Sequence, residues 1–116
     1  MNPRAQVLLW GAQRFSAMVL ALCVLVHLLT MIYAVRSGLS AAEILGRTQG
    51  SIAWFAFYTL FVFAVAVHAP IGLRTILSET FNWRGRGLDI LTGAIGLSLA
   101  MWGMRAVFGV FGAGAA

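Results

Sequence analysis

Three long apolar runs, separated by short polar breaks, organise the chain. The first extends from about Phe15 to Val35 and stops at Arg36-Ser37-Gly38. The second covers about Ser51 to Leu77, and the third about Leu88 to Phe111. About 20 consecutive apolar residues suffice to cross ~30 Å of hydrocarbon as a helix. The pattern therefore predicts an all-α integral membrane protein with three transmembrane helices, built as a single membrane domain over residues 1–116. Before the first run lies a short polar-flanked lead, Met1 to Gln13, in which Trp10 suits an interfacial anchor. In the loop Arg36 to Gly50, Ser40-Ala41-Ala42-Glu43 has the spacing of a capping box and predicts a short interfacial helix. The second break, Ser78 to Gly87, holds Glu79, Trp83, Arg84 and Arg86 and reads as a turn with an interfacial segment. Gly112 to Ala116 is a tail of small residues expected to fray.

Composition sharpens this picture. The 116 residues are 61% hydrophobic and 9% charged, with a mean hydropathy of +0.92, whereas a soluble domain carries about 25% charged residues. Eight Arg, with no Lys, oppose Glu43, Glu79 and Asp89 for a net charge of +5. In such a chain the excess reports topology and lipid headgroup contact, not nucleic acid. With three spans, Arg4, Arg14, Arg74, Arg84 and Arg86 share one side and Arg36, Arg47 and Arg105 the other. The richer side predicts a cytoplasmic N-terminus, in a bacterial inner membrane. The first apolar run is too long for a signal-peptide core and shows no small-residue cleavage site, so no cleavable signal is expected. Cys23 is the single cysteine, so an intrachain disulfide is excluded.

The candidate chemistry lies in two histidines. His68 sits near the end of the second run, followed by Pro70, Gly72 and Arg74. His27 sits inside the first run. An ionisable group in hydrocarbon costs several kcal/mol unless it is paired, which makes an intramembrane His a functional-site hypothesis. Pro70 removes the hydrogen bond to the Ala66 carbonyl and predicts a kink where His68 projects. At about 1.5 Å per residue, His68 lies roughly 9 Å from Arg74, while His27 lies roughly 20 Å from Arg14. Their depths differ by about 10 Å, so one chain does not place both on one iron, and each requires a partner from elsewhere.

Neutral imidazole is the usual axial haem ligand, but a membrane His can equally bond a carbonyl of a neighbouring helix and do nothing else. Arg74 can reach an anionic propionate. Arg14 can do so too, hydrogen-bond a quinone oxygen, or simply snorkel to headgroups. Trp54, Phe57, Tyr58, Trp83 and Trp102 read as belt and packing residues. Gly93, Gly96, Ala100 and Gly103 predict close approach of a neighbouring helix.

His68-Ala-Pro-Ile-Gly72-Leu-Arg74-Thr-Ile-Leu-Ser-Glu79 resembles the pattern His-x3-Gly-[Ile/Leu]-Arg-x4-[Asp/Glu] of the succinate dehydrogenase and fumarate reductase cytochrome b (membrane-anchor) subunit family. Gln13-Arg14-Phe15-Ser16 resembles that family's His-Arg-x-Ser-Gly segment opening the first span. The chain departs from the pattern at Trp10 (usually Ser), Gln13 (usually His), Ala17 (usually Gly) and Thr75 (often His). The resemblance implies a subunit that binds haem b through His68, contacts quinone, and docks the iron–sulfur and flavoprotein subunits on the cytoplasmic face. Catalysis on succinate or fumarate would belong to those other chains. Arg14 and Arg74 carry over as propionate or quinone contacts. Related five-span anchors hold two stacked haems, the outer on a first-span His. By that likeness His27 is a candidate second haem ligand, with a second membrane-anchor chain or a second copy supplying the opposing imidazoles. Two other readings compete: a haem-free structural subunit, and a small carrier relaying protons through His27 and His68. The position of Glu43, Glu79 and Asp89 at interfaces, outside the spans, weighs against the carrier.

Overall fold

A computed structural model of the chain describes residues 2–112. It contains four helices, α1 (Pro3–Arg36), α2 (Ala41–Thr48), α3 (Ile52–Phe81) and α4 (Arg86–Gly112), with no strand among the described residues. Helix α1 starts at Pro3 and not near Phe15. Asn2 Oδ1 accepts a hydrogen bond from the Ala5 amide at 2.8 Å, and proline occupies a first-turn position whose missing amide proton is not needed. The expected lead is therefore helical from Pro3 to Gln13, and Arg14 lies within a helix instead of at its entry; Met1 lies outside the described residues. At the other end Ser37 donates its amide to the Tyr33 carbonyl at 2.9 Å, and Gly38 turns the chain at φ +66°.

The capping box is present at α2. Ser40 Oγ accepts from the Glu43 amide at 3.2 Å, and Glu43 Oε1 accepts from the Ser40 amide at 3.3 Å. Ser51 caps α3 through the Trp54 amide at 3.3 Å. That helix continues through Pro70 and past Leu77 to Phe81, where Asn82 ends it in the left-handed region at φ 53°. Much of the expected Ser78–Gly87 break is thus helix, and the turn is confined to residues 82–85. Gly112 is helical, and the rest of the expected frayed tail lies outside the described residues.

Helix α3 is the middle element, with α1 and α4 each packed chiefly against it and α2 touching α4. The neighbours run antiparallel: Ser16 on α1 meets His68 on α3 while His27, further along α1, meets Tyr58, earlier on α3, and Phe55 near the start of α3 meets Phe111 near the end of α4 at 5.0 Å. Glycines set the α3–α4 spacing. A Cβ on Gly103 would lie 2.6 Å from Val62 Cγ1, and one on Gly96 would lie 3.1 Å from the Ala66 carbonyl oxygen that Pro70 cannot bond. Gly93 meets open space, so among the described residues no helix of this chain approaches closely there.

Among the described residues the buried apolar side chains are Cys23, Ala64, Leu88 and Val107, while Val35 and Ile52 are 75% and 77% exposed. Exposed apolar surface on this scale is a membrane-facing surface. Three of the helices are long and apolar enough to span, and the long axis of 49 Å covers a bilayer of about 40–45 Å including headgroups. This is an integral membrane protein.

Candidate functional site

His68 is half-buried on α3, and its Nδ1 lies 3.4 Å from Ser16 Oγ on α1. Ser16 is 4% exposed, and its hydroxyl donates to the Gln13 carbonyl at 3.0 Å. The imidazole lines a cavity of about 800 Å³ between α1 and α3, whose wall also includes Trp10, Gln13, Arg14, Arg74 and Thr75. Volumes of about 300–1,000 Å³ are usual for ligand sites. Gly72 makes room for the Gln13 side chain: a Cβ there would lie 3.2 Å from Gln13 Nε2. Gln13 Oε1 is buried on this wall without a hydrogen-bond partner.

The cations divide their duties. Arg14 is exposed, with its guanidinium 5.1 Å from the centre of the Trp10 ring, a cation–π pair. Arg74 donates from Nε to Asp89 Oδ1 at 2.9 Å, tying the end of α3 to the first turn of α4 while still lining the cavity. Thr75 reaches the same wall, but its hydroxyl donates to the Ile71 carbonyl at 3.1 Å. His68, Arg14 and Arg74 are therefore gathered around one cavity at the end of the molecule that carries α1's N-terminus.

His27 stands apart. It lines a second cavity of about 680 Å³, walled by residues of all four helices including Leu45, Tyr58 and Trp102, and a smaller one of about 380 Å³. Its ring lies edge-on to Tyr58 and Phe61, with centroids 5.9 and 5.8 Å away, and its Nδ1 is buried without a hydrogen-bond partner. Along α1, His27 is about 16 Å from the level of Ser16. Tyr58 thus packs against an imidazole as well as stacking on Trp54 at 5.7 Å. The two histidines line separate cavities.

For two residues of the first site the sequence names no partner, although Ser16 belongs to the Gln13–Ser16 segment that resembles the family pattern. Ser16 faces His68 across 52 positions of chain, and a serine in an apolar run carries no mark of its partner. Asp89 had stood only as an interfacial acid.

A family model described as the succinate dehydrogenase/fumarate reductase transmembrane subunit matches residues 1–113. The chain belongs to this family. No curated protein and no solved structure matches it. As a transmembrane subunit of succinate dehydrogenase/fumarate reductase, it associates with the other subunits of such a complex.

Within that family setting, the first cavity fits a haem by its donor chemistry. One imidazole faces a roomy, largely apolar wall, with Arg14 and Arg74 on the same wall for anionic substituents. No three His, Cys, Asp or Glu converge among the described residues. A bare ion asks for several protein ligands, whereas an iron held in a macrocycle would need only one imidazole from a chain.

Proposed function

We propose that this transmembrane subunit binds haem b through His68 and forms a quinone site beside it, on the side of the membrane that carries Arg14 and Arg74. The observation that carries the reading is the convergence of one imidazole, two guanidiniums and an unpartnered amide oxygen on a single cavity of about 800 Å³. When bound, the haem supplies a one-electron couple in electron transfer to or from membrane quinone. The chain's own residues hold and orient it. His68 offers a ring nitrogen to the iron. Arg74, steadied by Asp89, presents its remaining N–H donors to a propionate. Arg14 donates to a quinone oxygen, with the Trp10 indole as the apolar wall behind it. Gln13 Oε1 accepts a hydrogen bond from a quinol hydroxyl, which would satisfy an acceptor that has no partner within the chain.

The end bearing Arg4, Arg14, Arg74, Arg84 and Arg86 is the cytoplasmic face of a bacterial inner membrane on this reading, and it docks the iron–sulfur and flavoprotein subunits. A second membrane-anchor chain, or a second copy of this one, brings the opposing imidazole. His27 supports an extension of the same reading. Its orphaned Nδ1 and its cavity of about 680 Å³ suit a second haem ligand deeper in the membrane, the two haems then forming an electron path across the bilayer. The proton-relay alternative loses ground, because His27 and His68 line separate cavities.

Purification of the assembled complex tests the reading. A b-type Soret and α-band spectrum travelling with this subunit is the expected result. A complex that is active, complete and free of porphyrin would leave the haem-free structural subunit as the better account.

A further inference from the structure

We propose that Ser16 is the positioning residue of His68, accepting a hydrogen bond from Nδ1–H and so leaving Nε2 as the single ligating atom of the ring. The inference rests on the reading of His68 as a haem ligand. It is carried by two hydrogen bonds at one buried oxygen. The Ser16 hydroxyl has one proton, and the Gln13 carbonyl lies 3.0 Å away in the usual back-bonding position of a helical serine. A carbonyl has no proton to give, so in that bond the hydroxyl must donate. Oγ then has only lone pairs for the atom 3.4 Å away on its other side, His68 Nδ1.

Nδ1 must therefore carry the ring proton. Neutral imidazole has one N–H, so Nε2 is left with its lone pair exposed to a ligand. Ser16 is 4% exposed, which excludes competing water from the hydroxyl and makes the chain of donors and acceptors Nδ1–H to Oγ–H to carbonyl self-consistent. The opposite arrangement, with Oγ donating to Nδ1, would place the proton on Nε2. It would also abandon the shorter of the two contacts and leave the ring unable to ligate from its free side.

A hydrogen bond from the distal nitrogen orients a metal-bound imidazole and makes it a stronger donor, and loss of such partners commonly costs about 10–100-fold in metal affinity. Stronger donation favours ferric over ferrous iron. Ser16→Ala removes the acceptor, and Ser16→Thr keeps the hydroxyl. The assembled complex carrying each variant is titrated potentiometrically and its haem content measured beside wild type and His68→Ala.

We expect Ser16→Ala to raise the midpoint potential, by about 59 mV for each tenfold loss of ferric preference, or to lose haem severalfold, while Ser16→Thr stays near wild type. Equal behaviour of Ser16→Ala and wild type would overturn the assignment, as would equal perturbation by the alanine and threonine variants. Either failure, in a wild type whose haem disappears in His68→Ala, removes the role of Ser16 and leaves the ligand intact. Absence of haem from the wild type removes the underlying reading instead.

Discussion

Leaving a buried ring nitrogen without a partner costs about 1–3 kcal/mol, and the chain bears that cost at His27 Nδ1 but not at His68 Nδ1, which has Ser16 Oγ. The contrast leaves His27 as the histidine with an unpartnered ring nitrogen. A histidine kept only for packing would gain by replacement with leucine, which fills the edge-on contacts to Tyr58 and Phe61 without an orphaned nitrogen. On the two-haem reading His27→Leu has another signature: the pyridine haemochrome ratio falls from two haems per complex to one, and the remaining haem keeps its potential. An unchanged ratio together with higher thermal stability would return His27 to packing. His68, Arg14 and Arg74 were legible from the sequence because each is a polar group in or beside an apolar run, where its cost makes it conspicuous. The partners of Ser16 and Asp89 were not, even though Ser16 closes the Gln13–Ser16 segment that resembles the family pattern, because a small hydroxyl is cheap in a helix and an acid at a span's end is ordinary. Only the fold says that they meet His68 and Arg74.

Element boundaries show a different limit. The apolar pattern located all three spans, but it marks where the chain leaves hydrocarbon and not where helical hydrogen bonding stops. Ser78, Glu79 and Thr80 are polar and still helical, and Pro3 to Gln13 continues α1 beyond the apolar run because Asn2 caps it. The capping box of α2 was readable because its chemistry is local, within four residues. Close helix approach was readable only in kind: Gly96 and Gly103 meet α3, whereas Gly93 does not.

Two predictions belong at this scale. Gly103→Ala places a Cβ 2.6 Å from a β-branched Val62 that has little rotamer freedom. It should destabilise the complex by about 1–3 kcal/mol in thermal unfolding, and Val62→Ala in the same chain should recover most of that loss. Asp89→Asn removes the negative charge from the Arg74 pair that links the end of α3 to the first turn of α4, yet Asp89 is more than half exposed. Its effect on stability should stay under about 1 kcal/mol, measured in the same melts. A larger loss would mean that the pair holds the helix ends together in a far less solvated setting than the structure indicates.

As a whole molecule, three helices in a row with α3 in the middle bury very little of themselves. The arrangement leaves the His68 cavity walled by α1 and α3, with Arg14 and Met18 exposed at its edge. An iron with one ligand from this chain needs a second from another, so incompleteness of the single chain and half-coordination of the haem express the same design on the proposed reading. The fold class followed from hydropathy alone, since backbone in hydrocarbon has few alternatives to helix. The neighbour of the cavity did not follow, because side-chain partners across helices depend on rotation about each axis, which an almost uniformly apolar helix does not encode.

The most direct measurement is the reduced-minus-oxidised difference spectrum of membranes carrying the assembled complex, with wild type and His68→Ala compared at equal subunit content. We predict a b-type α-band in wild type that is lost, or halved if His27 holds a second haem, when His68 is replaced. An identical band in both membranes would contradict the assignment of His68 to iron.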